Sequence, residues 1–360
     1  MKTPCCPDDE RREALAFAHL PGVGCVAFRE AVERHGSASE AFHRSRKDTD
    51  KRAALHSADA VLATADSRGI QVLLFGDPEY PECLRDLTDP PSVLYALGKR
   101  ELLERRRVGI VGTRHASPAG ERVAHRMAAL LADAGAVVVS GMAFGIDAAA
   151  HRGALDAGGG TIAVLGSGVD RPYPPAHRAL HARIAEVGLV LSEAPIGSHP
   201  TLGAFPRRNR IIAALSETLV VIEAGARSGA LITARQALEL GRTVGAVPGP
   251  IDSPRHVGSN WLLSEGASFL ASVTDVLSTS GLPHSPPTTD KRDSPHQATV
   301  AIPVHQEIIN AVRAGASDVD DLARSVSLSA RDLAVALADL ELSGRVVVGD
   351  RGDVSLAGGA

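Results

Sequence analysis

The middle of the chain alternates between short, mainly apolar runs and longer segments whose apolar residues recur every three or four positions. The short runs predict β-strands over residues 70–75, 108–111, 136–139, 161–165, 189–191, 218–222 and 243–247. The longer segments predict amphipathic helices over residues 118–134, 145–157 and 231–240. Because continuous apolar strands separated by helices are typical of a parallel sheet covered on both faces, we expect an α/β core.

Both flanks of this core have a helical pattern. Residues 12–60 are polar-faced, and a turn at Pro21–Gly24 between two periodic segments has the shape of a helix-hairpin-helix unit. Such a turn can present backbone N–H groups to a phosphate, but the few basic residues in its second helix favour a structural turn. Near the other end, a winged helix is predicted by helical segments over 304–313, 318–325 and 329–342 and by a hairpin, 345–348 with 353–356, around Asp350–Gly352.

Changes in composition mark the domain limits. Residues 278–300 are rich in Pro, Ser, Thr and Asp, a composition that is typical of a flexible linker. We therefore predict four parts, which are an N-terminal helical domain over 1–65, an α/β domain over 66–278, a linker over 279–300 and a winged-helix-like domain over 301–360.

Composition also narrows the function classes. The 360 residues carry a net charge of −4, so an anion site must be a local patch on an acidic background. The N-terminus has no apolar signal region and no apolar run is long enough to span a bilayer, so we expect a cytoplasmic protein. Neither the adjacent Cys5 and Cys6 nor His177 and His181 have further ligands at metal-site spacing, and the four cysteines form no CxxC pair. Free thiols, no metal and no cofactor are the expectation.

Most predicted strands end in a small or glycine-rich loop. The loops are Gly112–Arg114, Ser140–Ala143, Gly166–Gly168, Ser192–Glu193, Ser228–Gly229 and Pro248–Gly249. In open parallel sheets, ligands bind beyond the carboxyl ends of the strands, and small residues let an anion reach backbone N–H groups there. We therefore expect a phosphate-binding rim in which Ser140 and Gly141 supply short hydrogen bonds.

One aromatic and three arginines open a helix at Phe205–Arg210. A guanidinium group binds phosphate oxygens in bidentate fashion, and an aromatic face can stack a base for roughly 1–3 kcal/mol. This combination suits a single strand, whose bases are exposed. The segment predicts that Arg207 and Arg208 hold phosphates and that Phe205 stacks a base, with Arg210 the candidate for a structural role.

Three other arginines are candidates for the same rim. Arg114 directly follows the first central strand and is expected over the rim. Arg227, which precedes a glycine loop, and Arg178, on the helix after Tyr173-Pro174, are weaker candidates. The alternative for Arg114 is an ion pair at the sheet edge, and the alternative for the arginines of Phe205–Arg210 is pairing with carboxylates such as Glu193 or Glu223.

Enzyme classes fit the sequence less well. The Gly109–Gly112 strand end does not continue as GxGxxG, no Walker-type GxxxxGK[ST] exists, and residues 101–275 contain no lysine. A nucleotide or nucleoside-phosphate hydrolase with Glu193 or Glu223 as acid/base stays open as the competing interpretation. A third interpretation of the sequence is a winged-helix transcription regulator with a ligand-sensing core.

The order and spacing of these loops over residues 70–275 resemble the DNA-processing protein A (DprA/Smf) family. The matching residues are Tyr80-Pro81 with Leu84, Val111–Arg114, Ser140–Asp147, Gly166–Asp170 with Tyr173-Pro174, Ser192-Glu193, Phe205–Ile211, Ser228–Ala234 and Val247–Gly249. The flanks resemble the N-terminal SAM-like helical domain and the C-terminal winged helix of that family. The resemblance implies an extended Rossmann-like parallel sheet for the α/β core.

The resemblance also implies a function. It implies a non-catalytic protein that binds and protects single-stranded DNA and loads RecA recombinase in natural transformation and recombination. It implies a homodimer formed through the Rossmann-like domain, with single-strand-binding protein as a further candidate partner. Carried over by position, the DNA-contacting and phosphate-proximal motifs of the family fall on Arg114, Ser140, Gly141, Phe205, Arg207, Arg208 and Asn209. The acidic second helix of the winged unit argues against direct groove binding there.

Overall fold

The computed structural model describes residues 7–45, 48–201, 203–283, 302–326, 328–342, 344–349 and 353–356. Contacts divide the chain into two compact units, Met1–Ser285 and Pro286–Ala360. Cys5, Cys6, most of the predicted linker and the predicted turn at 350–352 lie outside the described residues.

The first unit begins with four helices, which are α1 (Pro7–Ala18), α2 (Cys25–His35), α3 (Ala38–Arg44) and α4 (Asp48–Ser67). The turn between α1 and α2 needs a glycine at position 22, where φ is +85°. Phe17 and Phe28 pack across this hairpin with their ring centroids 5.2 Å apart. The predicted helical hairpin is therefore present, and its helices share the apolar core of the sheet that follows.

Nine strands form one sheet. They are β1 (Ile70–Leu74), β2 (Val93–Gly98), β3 (Arg107–Gly112), β4 (Val137–Ser140), β5 (Thr161–Leu165), β6 (Leu189–Ser192), β7 (Thr218–Ile222), β8 (Thr243–Ala246) and β9 (Ser268–Phe269). The order across the sheet is β1-β2-β6-β5-β4-β3-β7-β8-β9. Strands β3 to β9 are mutually parallel as predicted, whereas β2 pairs antiparallel with both β1 and β6.

Further helices lie between and after the strands and cover both faces of the sheet. They are α5 (Glu82–Arg85), α6 (Pro118–Asp133), α7 (Ile146–Asp156), α8 (Arg178–Val187), α9 (Ala204–Leu215), α10 (Gly229–Glu239), α11 (Val257–Ser264) and α12 (Asp275–Thr279). Neighbouring residues of one strand fall into two separate apolar clusters, as with Ile110 and Val111 of β3. Both faces are thus buried, which confirms the α/β architecture read from the continuous apolar runs.

The second unit has the predicted winged-helix elements. These are α13 (Ile302–Arg313), α14 (Val319–Ser325) and α15 (Ala330–Leu342), followed by the antiparallel strands β10 (Val346–Val348) and β11 (Val354–Leu356). Leu322 and Leu340 are fully buried between the helices. Across the described residues of both units, no helix is long and apolar enough to span a membrane.

Candidate functional site

The site lies where the chain reverses its direction across the sheet. Strand β3 stands between β4 and β7, so the connections that follow β3 and β7 leave on opposite sides and open a crevice at the carboxyl ends of these strands. A cavity of about 440 Å³ occupies this crevice. Its walls include the loop Gly112–His115, the side chain of Asn209 and the start of α10 at Arg227–Ala230.

The first turn of α10 faces this cavity. The Ser228 hydroxyl accepts a hydrogen bond from the Ala230 N–H and so caps the helix. A helix N-terminus combines unpaired N–H groups with the positive end of the helix dipole, which favours an anion. The crevice therefore has the chemistry of a phosphate site.

A second cavity, of about 470 Å³, lies beside the first and has an aromatic wall. The Phe205 ring lies 5.5 Å from the Tyr173 ring, with an angle of 40° between their planes. The Arg114 guanidinium stands 5.1 Å from the centroid of Phe205. Phe144, with 48% of its surface exposed, completes this wall and makes an edge contact with His177. Stacked rings beside a cation can hold a base and its phosphate together.

Arg114 is one of the residues that line both cavities. Its side chain is exposed, and no carboxylate of the described residues lies within ion-pair distance of it. The guanidinium therefore has donors left for a ligand after its contact with Phe205. The structure places this predicted residue where the sequence expects it, above the rim.

The arginines of α9 differ in their environments. Arg207 is exposed, but its Nη2 donates to Glu193 Oε1 over 2.7 Å and to the Cys25 sulfur over 3.1 Å. Arg210 is buried, and its Nη2 contacts both oxygens of Glu193 at 2.9 and 3.0 Å, while its Nε donates to Asp89 over 3.0 Å. Arg210 therefore has the structural role that was predicted for it.

Arg208 differs from the expectation of an exposed phosphate ligand. Its side chain is buried beneath both cavities, and Nη1 donates to the carbonyl oxygens of Gly141, over 2.6 Å, and Val164. Burial lowers the pKa of Arg208 to about 10, although Asp147 opposes this shift, so the group stays cationic at neutral pH. Arg208 holds the floor of the site, because its Nη1 donates to two backbone carbonyls.

The loop after β4 also differs from the expectation. Ser140 is fully buried, and its hydroxyl donates to the Ile110 carbonyl over 2.6 Å, so that donor is not available to a ligand. Gly141 is buried under Arg208, and its carbonyl oxygen accepts a hydrogen bond from Nη1 of Arg208. The loop that follows contains Met142 with φ at +57°, and the Met142 carbonyl accepts from Nδ1 of His177 over 3.0 Å. Ser140 therefore offers no free hydroxyl donor, whereas Gly141 lines the aromatic cavity while its carbonyl binds Arg208.

The remaining predicted residues fall in two groups. Asn209 and Arg227 line the first cavity, and the Asn209 amide donates to the Gly229 carbonyl over 3.4 Å. Arg178 is exposed at the start of α8 and lines neither cavity. His115 and Tyr173 line the cavities but were not among the predicted site residues. The signal for Tyr173 was its position after the Gly166–Gly168 loop at a strand end.

Both candidate catalytic carboxylates are already engaged. Glu193 accepts from Arg207 and Arg210 and lies 3.2 Å from the Cys25 sulfur. Glu223 is buried with φ at +50°, and its carboxylate accepts from the N–H of Ser117 over 2.8 Å and from the Ser117 hydroxyl. Glu223 therefore fixes the start of α6. Among the described residues no group of three or more His, Cys, Asp or Glu side chains could hold a metal ion.

The chain combines a Rossmann-like sheet with a winged-helix domain, and comparison with known families shows where it belongs. Residues 71–281 match the family model of DNA recombination-mediator protein A, and residues 286–349 match the DprA winged helix domain. The chain belongs to the DNA recombination-mediator protein A family, which confirms the resemblance read from the loops.

Several known proteins are similar to this chain. Protein Smf of Synechocystis is 45% identical over 59% of this chain, and that match spans 54% of its own length. DNA processing protein A of Streptococcus pneumoniae is 32% identical, with a TM-score of 0.64 over 77% of this chain and 98% of its own. DNA processing protein A of Helicobacter pylori, whose structure concerns its single-stranded DNA binding mode, is 32% identical, with a TM-score of 0.54 over 58% of this chain and 94% of its own.

Proposed function

We propose that this protein binds single-stranded DNA in the two adjoining cavities and does so without chemical conversion of the strand. The observation that carries this proposal is the Arg114–Phe205–Tyr173 stack, in which a guanidinium that lines both cavities stands over an aromatic ledge that lines the second one. A ledge of this kind stacks bases of any sequence, while the guanidinium binds the neighbouring phosphate. The single-stranded DNA binding mode of the Helicobacter protein supports the same assignment.

In this proposal the two cavities bind different parts of the strand, one the phosphates and the other a base. In the proposed complex, phosphates lie at the N-terminus of α10 with Arg227 and Asn209, and a base stacks on Phe205 beside Tyr173. Arg207 joins them at the rim as its contact with Glu193 is exchanged for a phosphate contact. Arg208 and Ser140 hold the floor from below and make no direct contact with the strand.

The hydrolase alternative has less support. An acid/base carboxylate must be free to exchange a proton with the substrate. Glu193 is held by two guanidinium groups and Glu223 by the start of α6. Binding without hydrolysis is therefore the function that this geometry supports best.

We also propose that the bound strand is protected and passed to RecA recombinase in the cytoplasm, as the family resemblance implies. A homodimer would lengthen the bound tract. It is supported by exposed apolar side chains at the free edge of the sheet, where β9 ends with Phe269 and α11 presents Trp261. Such an edge pairs readily with a second copy. Phe269→Lys should convert a dimer into monomers in analytical ultracentrifugation, and an unchanged mass would remove this edge as the interface.

The function is tested by fluorescence anisotropy with a labelled poly-dT oligomer and three competitors, namely single strand, duplex and mononucleotide. We expect displacement by single strand alone. Arg114→Ala should weaken binding by about tenfold or more, because a hydrogen bond to a charged group contributes about 1.5–3 kcal/mol. Arg178→Ala, which removes an exposed arginine outside both cavities, is the matched control and should bind as the wild type does.

Displacement by mononucleotide at equal concentration would favour the hydrolase alternative. In that case, release of free base or phosphate from nucleotides would be measured directly, with Glu193→Gln as the test variant. Equal loss of affinity in Arg114→Ala and Arg178→Ala would show that only general charge matters.

A further inference from the structure

A basic groove on the outer face of α6 and α7 has no role in the site described above. The groove encloses about 500 Å³ and is lined by Pro118, Glu121, Arg122, His125, Arg126, Ala149 and Arg152. Arg122 and Arg126 are four residues apart on α6 and so lie on one face of that helix, whereas Arg152 stands on α7 opposite them.

The three arginines of this groove are not neutralised. All three side chains are exposed, and within the described part of the chain none of them has an ion pair or a hydrogen bond to another side chain. The other charged side chains that line the groove are Glu121, at its end, and His125, whose Nε2 lies 3.0 Å from Asp156. Counting the histidine as neutral, three positive charges and one negative charge leave +2 in the groove, on a chain whose net charge is −4.

The walls of the groove are fixed in place by close helix packing. A Cβ on Gly153 would lie 2.8 Å from the carbonyl carbon of His125 and closer still to its oxygen, so α7 approaches α6 as closely as a glycine allows. The arginines therefore project from two helices whose spacing is set, and the groove does not depend on a loop to form.

The groove is continuous with the proposed DNA site. Glu121 lines both the groove and the aromatic cavity that contains Arg114 and Phe205. Helix α6 starts at Pro118 beside this shared edge, and a rise of about 1.5 Å per residue places Arg126 roughly 12 Å further along.

From this continuity we propose that the α6–α7 groove is a second contact surface for nucleic acid, which carries the backbone of the same single strand after it leaves the cavities. Arg122, Arg126 and Arg152 bind successive phosphates there, and no base is read. This inference rests on the proposed function, because the strand must first occupy the cavities. It predicts that affinity increases with oligomer length beyond the few nucleotides that fill the cavities.

The experiment measures anisotropy with dT oligomers of about 6 and about 20 nucleotides over a series of salt concentrations. The test variant is the full chain with Arg122→Gln, Arg126→Gln and Arg152→Gln, since glutamine keeps the helical propensity and removes the charge. We expect binding of the short oligomer to change by less than about twofold and binding of the long one to weaken by about tenfold or more. The salt slope for the long oligomer should fall by about 2, since each phosphate contact contributes about 0.7 for a single strand.

Two controls separate the groove from general effects. The triple lysine variant at the same positions keeps the charge and should restore both the affinity and the salt slope. Arg34→Gln with Arg52→Gln removes exposed charges from α2 and α4 and should leave the length dependence unchanged.

The outcomes separate this inference from the proposed function. Wild-type affinity and salt slope of the triple glutamine variant on the long oligomer would overturn the groove assignment while the cavity assignment stands. Equal weakening on both lengths would also overturn it, because the arginines would then act on the cavities. A wild-type protein that binds neither length would contradict the proposed function and the inference with it.

Discussion

Replacement of Gly141 by alanine tests whether the floor of the site depends on Arg208. A Cβ at position 141 would lie 2.5 Å from Nη2 of Arg208 and closer still to Nη1 and Cζ. The guanidinium is buried and cannot swing into solvent without loss of its bonds to the Gly141 and Val164 carbonyls. Hydrogen bonds from a charged donor contribute about 1.5–3 kcal/mol each, so Gly141→Ala should destabilise the fold by about 3 kcal/mol or more.

The assay is denaturant unfolding of Gly141→Ala, followed by anisotropy with a single-stranded oligomer under conditions where the variant is folded. Both stability and affinity should fall, because the loop after β4 is set by Arg208 from one side and by His177 from the other. Gly76→Ala is the matched control, since that glycine is exposed and a Cβ there would meet nothing within 4 Å. Wild-type stability and affinity of Gly141→Ala would refute the role given to Arg208.

Two further predictions concern stability. Burial lowers the pKa of His151 to about 3, so the stability that its neutral form contributes is complete above the unfolded pKa of 6.5 and is lost as the pH falls. Between pH 6.5 and 5 the wild type should therefore lose about 2 kcal/mol that His151→Gln does not lose, as measured by urea unfolding at each pH. Glu193→Gln removes the anion shared by Arg207 and Arg210 and should cost about 3–5 kcal/mol in the same assay, whereas Glu217→Gln, at an exposed ion pair, should change stability by less than about 1 kcal/mol. A stability of Glu193→Gln equal to that of the wild type would contradict the structural role of this carboxylate.

The low pKa of His151 has a specific structural cause. The Thr161 hydroxyl donates to the Val138 carbonyl over 2.8 Å, so it must accept from Nδ1 of His151, which lies 2.7 Å away. The other ring nitrogen, Nε2, is buried without a partner among the described residues. A second proton on the ring would therefore be both charged and unpaired, which accounts for the low pKa.

Most of the fold could be predicted because the sheet is buried on both faces. The parallel strands are mainly apolar runs, and the central strands lie within two residues of their predicted limits. Strand β2 (Val93–Gly98) was not predicted, although Val93–Leu97 is apolar throughout. It runs antiparallel between β1 and β6, and a pattern of helices and parallel strands gives no signal for such a strand.

The positions of the site loops were predictable, but the directions of their side chains were only partly so. Arg208 stands at the start of the stripe that continues with Ile211, Ile212 and Leu215, which are all buried. This spacing of three, four and seven residues places Arg208 on the inner face of α9, so helical periodicity could have separated it from Arg207. The pairing of Arg207 with Glu193 and Cys25 brings together distant segments, and no local pattern predicts it.

The central claim is that single-stranded DNA lies on the Arg114–Phe205–Tyr173 ledge, and photo-crosslinking tests it most directly. An oligomer in which bromouracil replaces thymine would be irradiated with the full chain, and the modified peptides would be identified by mass spectrometry. We expect the crosslinks at Phe205 or Tyr173, with loss of crosslinking in Arg114→Ala. Crosslinks confined to the winged-helix unit would contradict the account, because the strand would then bind outside the cavities.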